Sequence, residues 1–121
     1  MRSIGVFLLA LLVFGCGQKN VSYREQVQTI LDKKCISCHG LNGPRGKIVL
    51  TSFENLMKSR TVSGKKPLVV AGSPTESKLY ILCGTTQVQF RMPPQSPQAE
   101  PLTADELQTV GRWIMQGAHD N

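Results

Sequence analysis

The sequence contains no apolar run long enough to cross a bilayer as a helix. Its longest, Ile4 to Phe14, is eleven residues broken only by Gly5, where a span needs about 20. There is no internal repeat and no low-complexity tract. Strand signals are few, and Ile48-Val49-Leu50 and Leu68-Val69-Val70 read as short core-facing connectors. Acidic residues are scarce, 8 against 14 Lys+Arg, a formal net charge of +6. No nucleic-acid recognition motif accompanies that charge, so nucleic acid is not the expected partner. No side chains are spaced for general acid/base work. At 121 residues the chain is one small domain at most, which excludes separate cofactor and substrate domains. With 40% hydrophobic and 18% charged residues, wholesale disorder is excluded as well. The core of so short a chain is thin, and an embedded cofactor would support it.

The short apolar run reads as an address. Met1 and Arg2 make a positive start, and Val13-Phe14-Gly15-Cys16 closes the run. Those proportions are those of a secretory signal, and the closing residues resemble a bacterial lipobox. The resemblance implies acylation of Cys16, which becomes the new N-terminus; ordinary secretion with cleavage elsewhere is the alternative. Residues 1–15 are then a lipoprotein signal peptide, 16–20 a lipidated tether and 21–121 the folded domain. Removal of the first fifteen residues leaves 106 and a net charge of +5. Two or more acyl chains hold a protein on a membrane without spanning it. Gly17 after the Cys implies, by likeness to lipoproteins of two-membraned bacteria, a place on the outer membrane facing the periplasm.

The remainder reads as helices separated by Gly/Pro-rich loops, an all-α fold of about four helices. Four capping boxes mark helix starts: Ser22 with Glu25, Thr51 with Glu54, Ser73-Pro74-Thr75-Glu76, and Thr103 with Glu106. The third helix presents Leu79, Leu82 and Cys83 together and stops at Gly84. The fourth carries Leu107, Val110 and Ile114, with Trp113 beside them and Gly117 at its end. Thr85 to Pro101 is the longest loop, with prolines at 93, 94, 97 and 101. A loop of that length in so small a domain normally has a function.

Cys35-Ile36-Ser37-Cys38-His39 has the spacing of c-type haem attachment. Two thiols three residues apart lie on about one turn, so both reach the vinyl groups on one side of a porphyrin. His39 is then held beneath the iron as proximal ligand. Two other readings compete. A zinc site normally pairs Cys-x-x-Cys with a second, distant pair, and none is present; a disulfide is permitted by export. For the sixth iron position the candidates are His119, Met57, Met115 and Met92. His119 reads as solvated tail, Met57 as core, and Met115 lies beside the apolar stripe. Met92 precedes Pro93-Pro94, which stiffen the backbone, and is the favoured ligand.

From about Glu25 to Ala118 the chain resembles class I-like monohaem cytochrome c domains, most closely the small planctomycete-type domain. The matching pieces are Cys35 to Gly40, Gly72 to Leu79, Met92-Pro93-Pro94, and Leu102 to Leu107 followed by Trp113-Ile114 and Gly117-Ala118. The resemblance implies an all-helical fold whose first and last helices pack together beside one covalent haem c. It also implies His39 and Met92 as axial ligands and Trp113 as a residue packing near the haem. Cys83 departs from the family pattern; it reads as a small buried hydrophobe, or as a thiol pairing between chains.

From Lys33 to Lys66 there are eight basic residues and one acid, Glu54. The bland reading is solvated surface, and the sharper one is a face that steers an acidic redox partner. The expected function is that of a membrane-anchored electron carrier rather than an enzyme. The alternatives are a haem enzyme or gas sensor with an open sixth site, or a bound electron-entry subunit of a larger oxidoreductase.

Overall fold

The computed structural model describes residues 17–121, so the signal segment and Cys16 lie outside the described residues. Among those residues there is no strand, only the isolated bridges Arg60–Pro67 and Ser96–Ala99. Four α-helices carry the fold: α1 (Gln28–Lys34), α2 (Phe53–Lys58), α3 (Lys78–Gly84) and α4 (Ala104–Met115). No described helix is long and apolar enough to cross a membrane.

The chain enters through a wide turn of π-type winding, Tyr23–Val27, which runs straight into α1. Ser22 caps it, its hydroxyl accepting from the Glu25 N–H at 3.2 Å. The cap of α2 falls one residue later than the sequence suggests. Ser52, not Thr51, accepts from the Asn55 N–H, while Thr51 accepts from the Asn55 side chain. The expected third helix is divided. Pro74–Glu76 forms a 3-10 turn, and α3 starts only after Ser77, whose backbone is extended. Ser77 is fully buried. Its hydroxyl accepts from the Val70 N–H at 2.9 Å and lies 2.8 Å from the Ser73 carbonyl, so it satisfies connector backbone that the core would otherwise strand.

The capping box of α4 is complete, with Thr103 and Glu106 each accepting from the other's backbone N–H. Its far end closes as a Schellman motif: Ala118 N–H reaches the Trp113 carbonyl and Gly117 N–H the Ile114 carbonyl. Gly117 has φ +108°, a conformation that requires glycine.

The entry turn packs on α4 through an aromatic cluster. The Tyr23 ring lies 5.2 Å from Phe53 and 5.3 Å from Trp113, centroid to centroid, spacings at which aromatic pairs attract. Residues 19–24 and 116–121 are clasped together beside this cluster. Asn121 accepts from the Tyr23 N–H through its side chain and from the Arg24 N–H through its backbone. Gln116 accepts from the Val21 N–H and donates to the Lys19 carbonyl. Arg24 and Asp120 form an exposed ion pair beside them, and that contact holds the Arg24 guanidinium above its ordinary pKa.

Candidate functional site

Helix α1 stops at Lys34, and the chain makes one further turn through the cysteines. Cys38 N–H and His39 N–H both donate to the Cys35 carbonyl, at 3.2 and 2.9 Å. This turn sets Cys35 and Cys38 on the wall of one cavity. Gly40 follows because a Cβ there would meet the Ile36 carbonyl oxygen at 2.7 Å, closer than real side chains approach. The loop beyond folds back over the turn, with Arg45 N–H donating to the Cys38 carbonyl and Leu50 N–H to the His39 carbonyl.

His39 Nδ1 lies 3.0 Å from the Arg45 carbonyl oxygen. A carbonyl only accepts, so Nδ1 carries a proton, and in the neutral ring Nε2 then has the free lone pair. The imidazole is thereby oriented in the tautomer a metal needs.

The cavity is partly open, about 570 Å³ of space with open solvent included. Cys35, Cys38 and His39 form one side; Leu50, Leu68 and Leu79 are part of its apolar lining; Met92, Pro93 and Pro94 bring in the long loop. The two connector runs therefore serve as cavity wall rather than strands. Met92 is 40% exposed, and its N–H donates to the Leu82 carbonyl at 2.9 Å.

The other sixth-ligand candidates lie elsewhere. Met57 packs against the core, Met115 is exposed, and His119 is an exposed tail residue whose carbonyl accepts from the Trp113 indole at 2.9 Å. The resemblance put Trp113 beside the haem. In the structure it is absent from the cavity lining. Its indole is buried in the cluster with Tyr23 and Phe53, where the His119 carbonyl satisfies its one donor.

Two cavity-lining residues escaped the sequence reading. Cys83 is buried as expected, but it also lines this cavity. Burial pushes its thiol up to about 12, with a smaller contribution from nearby Cys35. The second is Lys34, which counting placed on a basic face and which the structure buries against the cavity. A lysine is assigned to the surface by default because isolated buried charges are rare; its carboxylate partners are distant in sequence. The other seven basic residues from Lys33 to Lys66 are exposed, and Lys58 is paired with Glu54.

These groups fit haem c. Burial pushes the Cys35 thiol up to about 12, helped by Cys38 and Glu106 and opposed by Lys34. Among the described residues no three His, Cys, Asp or Glu side chains gather to hold a metal ion of their own. The buried Nε of Arg91, next to Met92, has no hydrogen-bond partner there either, and a haem carboxylate is an acceptor it could take.

No curated protein and no solved structure matches the chain. A family profile described as Planctomycete cytochrome C matches residues 35–96, half of the sequence, from the first attachment cysteine past the Met92 loop. The chain belongs to the planctomycete cytochrome c family, with the haem-binding, electron-transfer role that this membership carries.

Proposed function

We propose that the protein is a membrane-anchored monohaem cytochrome that carries single electrons between redox proteins. In this reading one haem c is joined to Cys35 and Cys38, His39 is the proximal ligand, Met92 the distal ligand, and Cys16 bears the lipid. The observation that carries it is the meeting of Cys35, Cys38, His39 and Met92 on one apolar cavity.

When bound, haem supplies an iron that cycles between ferric and ferrous states. The protein's part is positional and electrostatic. Cys35 and Cys38 fix the group covalently, and the Arg45 carbonyl aims His39. Met92 offers a soft, neutral thioether, which favours ferrous iron and raises the potential. Leu50, Leu68 and Leu79 keep water from that side of the site. The seven exposed cations from Lys33 to Lys66 suit a partner with an acidic docking surface.

Expressed with a working cytochrome c maturation system, the protein is expected to exceed its processed apoprotein mass by one haem. It should also keep haem stain on a denaturing gel, and colourless protein would refute the reading. Electron transfer to an anionic partner is expected to slow steeply with added salt, because exposed charges are screened over about 10 Å at 0.1 M. A rate flat in ionic strength removes the acidic partner from the proposal.

A further inference from the structure

We propose that Lys34 is a positioning residue, a buried ammonium that latches the Met92 loop to the haem-attachment helix and so controls how firmly the sixth iron position is held. The inference deepens the reading above and rests on it where it takes Met92 as the distal ligand.

Lys34 differs sharply from Lys33, its exposed neighbour. Its side chain is only 4% exposed, and a lysine is rarely so deep unless paired. All its partners lie at the far end of the long loop and in the first turn of α4. Nζ donates to the Pro101 carbonyl at 3.2 Å. It lies 3.5 Å from Glu100 Oε2 and 3.6 Å from Glu106 Oε2. Of the three ammonium donors, one is bonded to Pro101, and the two carboxylates add ion-pair contacts.

The two carboxylates are not equivalent. Glu100 is 84% exposed and Glu106 only 19%, so the Glu100 contact is largely screened by solvent. Glu106 is also held in place, because the same Oε2 accepts from the Thr103 N–H at 2.8 Å in the α4 capping box. Lys34 therefore bears on a fixed point of α4, and its bond to Pro101 fastens the end of the loop against it.

The loop has little else to hold it. Among the described residues, 85–101 makes two hydrogen bonds to the rest of the domain. One runs from Met92 N–H to the Leu82 carbonyl, on the helix just before the loop. The other is the Lys34–Pro101 bond, which spans 67 positions of sequence. The remaining loop bonds are local, such as Phe90 N–H to Gln87 and Ala99 N–H to Ser96. Lys34 and the loop residues Met92, Pro93 and Pro94 line the same cavity. Loss of the ammonium frees the far end of the loop and leaves Glu106 without its cation, both of which favour opening at Met92.

The test uses the full haem-loaded protein, with Lys34→Met, Lys34→Arg and Glu106→Gln beside wild type and Met92→Ala. Two readouts separate a latch from general stability: the rate of CO binding to ferrous protein, and tryptic cleavage after Arg91 followed by mass spectrometry. In Lys34→Met both are expected to rise about tenfold, the size of shift one lost anchoring contact gives a two-state opening. Haem content and helical signal should stay as in wild type. Lys34→Arg, which keeps the charge, is expected to fall back toward wild type. Glu106→Gln keeps an acceptor for Thr103 but loses the charge, and should lie between; it serves if Lys34→Met fails to accumulate. CO binding and cleavage unchanged in both Lys34→Met and Glu106→Gln, or in Glu106→Gln alone where Lys34→Met does not accumulate, overturn the latch. Faster cleavage with unchanged CO binding overturns Met92 as the ligand while upholding the latch on the loop. A wild type that binds CO as fast as Met92→Ala overturns the ligand reading itself.

Discussion

The entry turn and α1 run as one segment from Tyr23 to Lys34, and the two ends of that segment are held by different means. At the first end, polar groups close on one another: Asn121 with Tyr23 and Arg24, and Gln116 with Val21 and Lys19. Aromatic rings fill the space behind them. At the other end stand two thiols, an aimed imidazole, an apolar cavity and a loop with few bonds. A chain this small completes one end with its own side chains. Its other end is organised around a prosthetic group, with Lys34 as the main polar fastening.

That contrast breaks first at Trp113. Trp113→Ala removes the centre of the clasped end and is expected to destabilise the holoprotein by about 3–5 kcal/mol, the usual cost of emptying an aromatic core site. Denaturant unfolding checks this. The far-red ferric charge-transfer band that resemblance to His/Met cytochromes implies should stay in place, since Trp113 does not line the cavity. Loss of the band at native conditions would show that the two ends are one cooperative unit at the iron.

A smaller effect sharpens the cavity end. Once Cys35 is in a thioether, Cys83 is the thiol left there. Its pKa is raised from 9.0 to about 12, first by burial. The folded protein holds this proton more tightly than the unfolded chain does. The contribution is therefore whole below about pH 9 and is lost as pH rises toward 12. Burial also raises the Tyr23 hydroxyl above its ordinary 10.0, with Asp120 and Asp32 adding, so the clasped end loses stability over the upper part of the same alkaline range. Cys83→Ala is expected to flatten the alkaline fall in stability, leaving the portion due to Tyr23. An unchanged slope in that variant would remove Cys83 from the account.

Much of this division could be read in the sequence, and the parts that could not have a common cause. The attachment turn was legible because Cys35, Cys38 and His39 are contiguous and their spacing is dictated by the porphyrin. The last helix was legible because Thr103, Glu106 and Gly117 are local signals, and each acts on backbone within its own turn. The break at Ser77 was hidden, since its hydroxyl serves Val70, a connector outside the helix. Lys34 was hidden for the same reason at longer range. Nothing near it in sequence announces Pro101 and Glu106, and a run of neighbouring lysines looks like surface. Trp113 could be given a place only by family likeness, because its packing partners Tyr23 and Phe53 lie on segments far from it in sequence.

The central claim is that the loosely bonded end is built around an iron held between His39 and Met92. It is tested most directly by Met92→Ala in the haem-loaded protein, read by the far-red ferric band and the reduction potential together. The account predicts that the band disappears, the potential falls, and CO binds readily, while Met57→Leu leaves all three nearly as they were. A Met92→Ala protein that keeps both band and potential would contradict it.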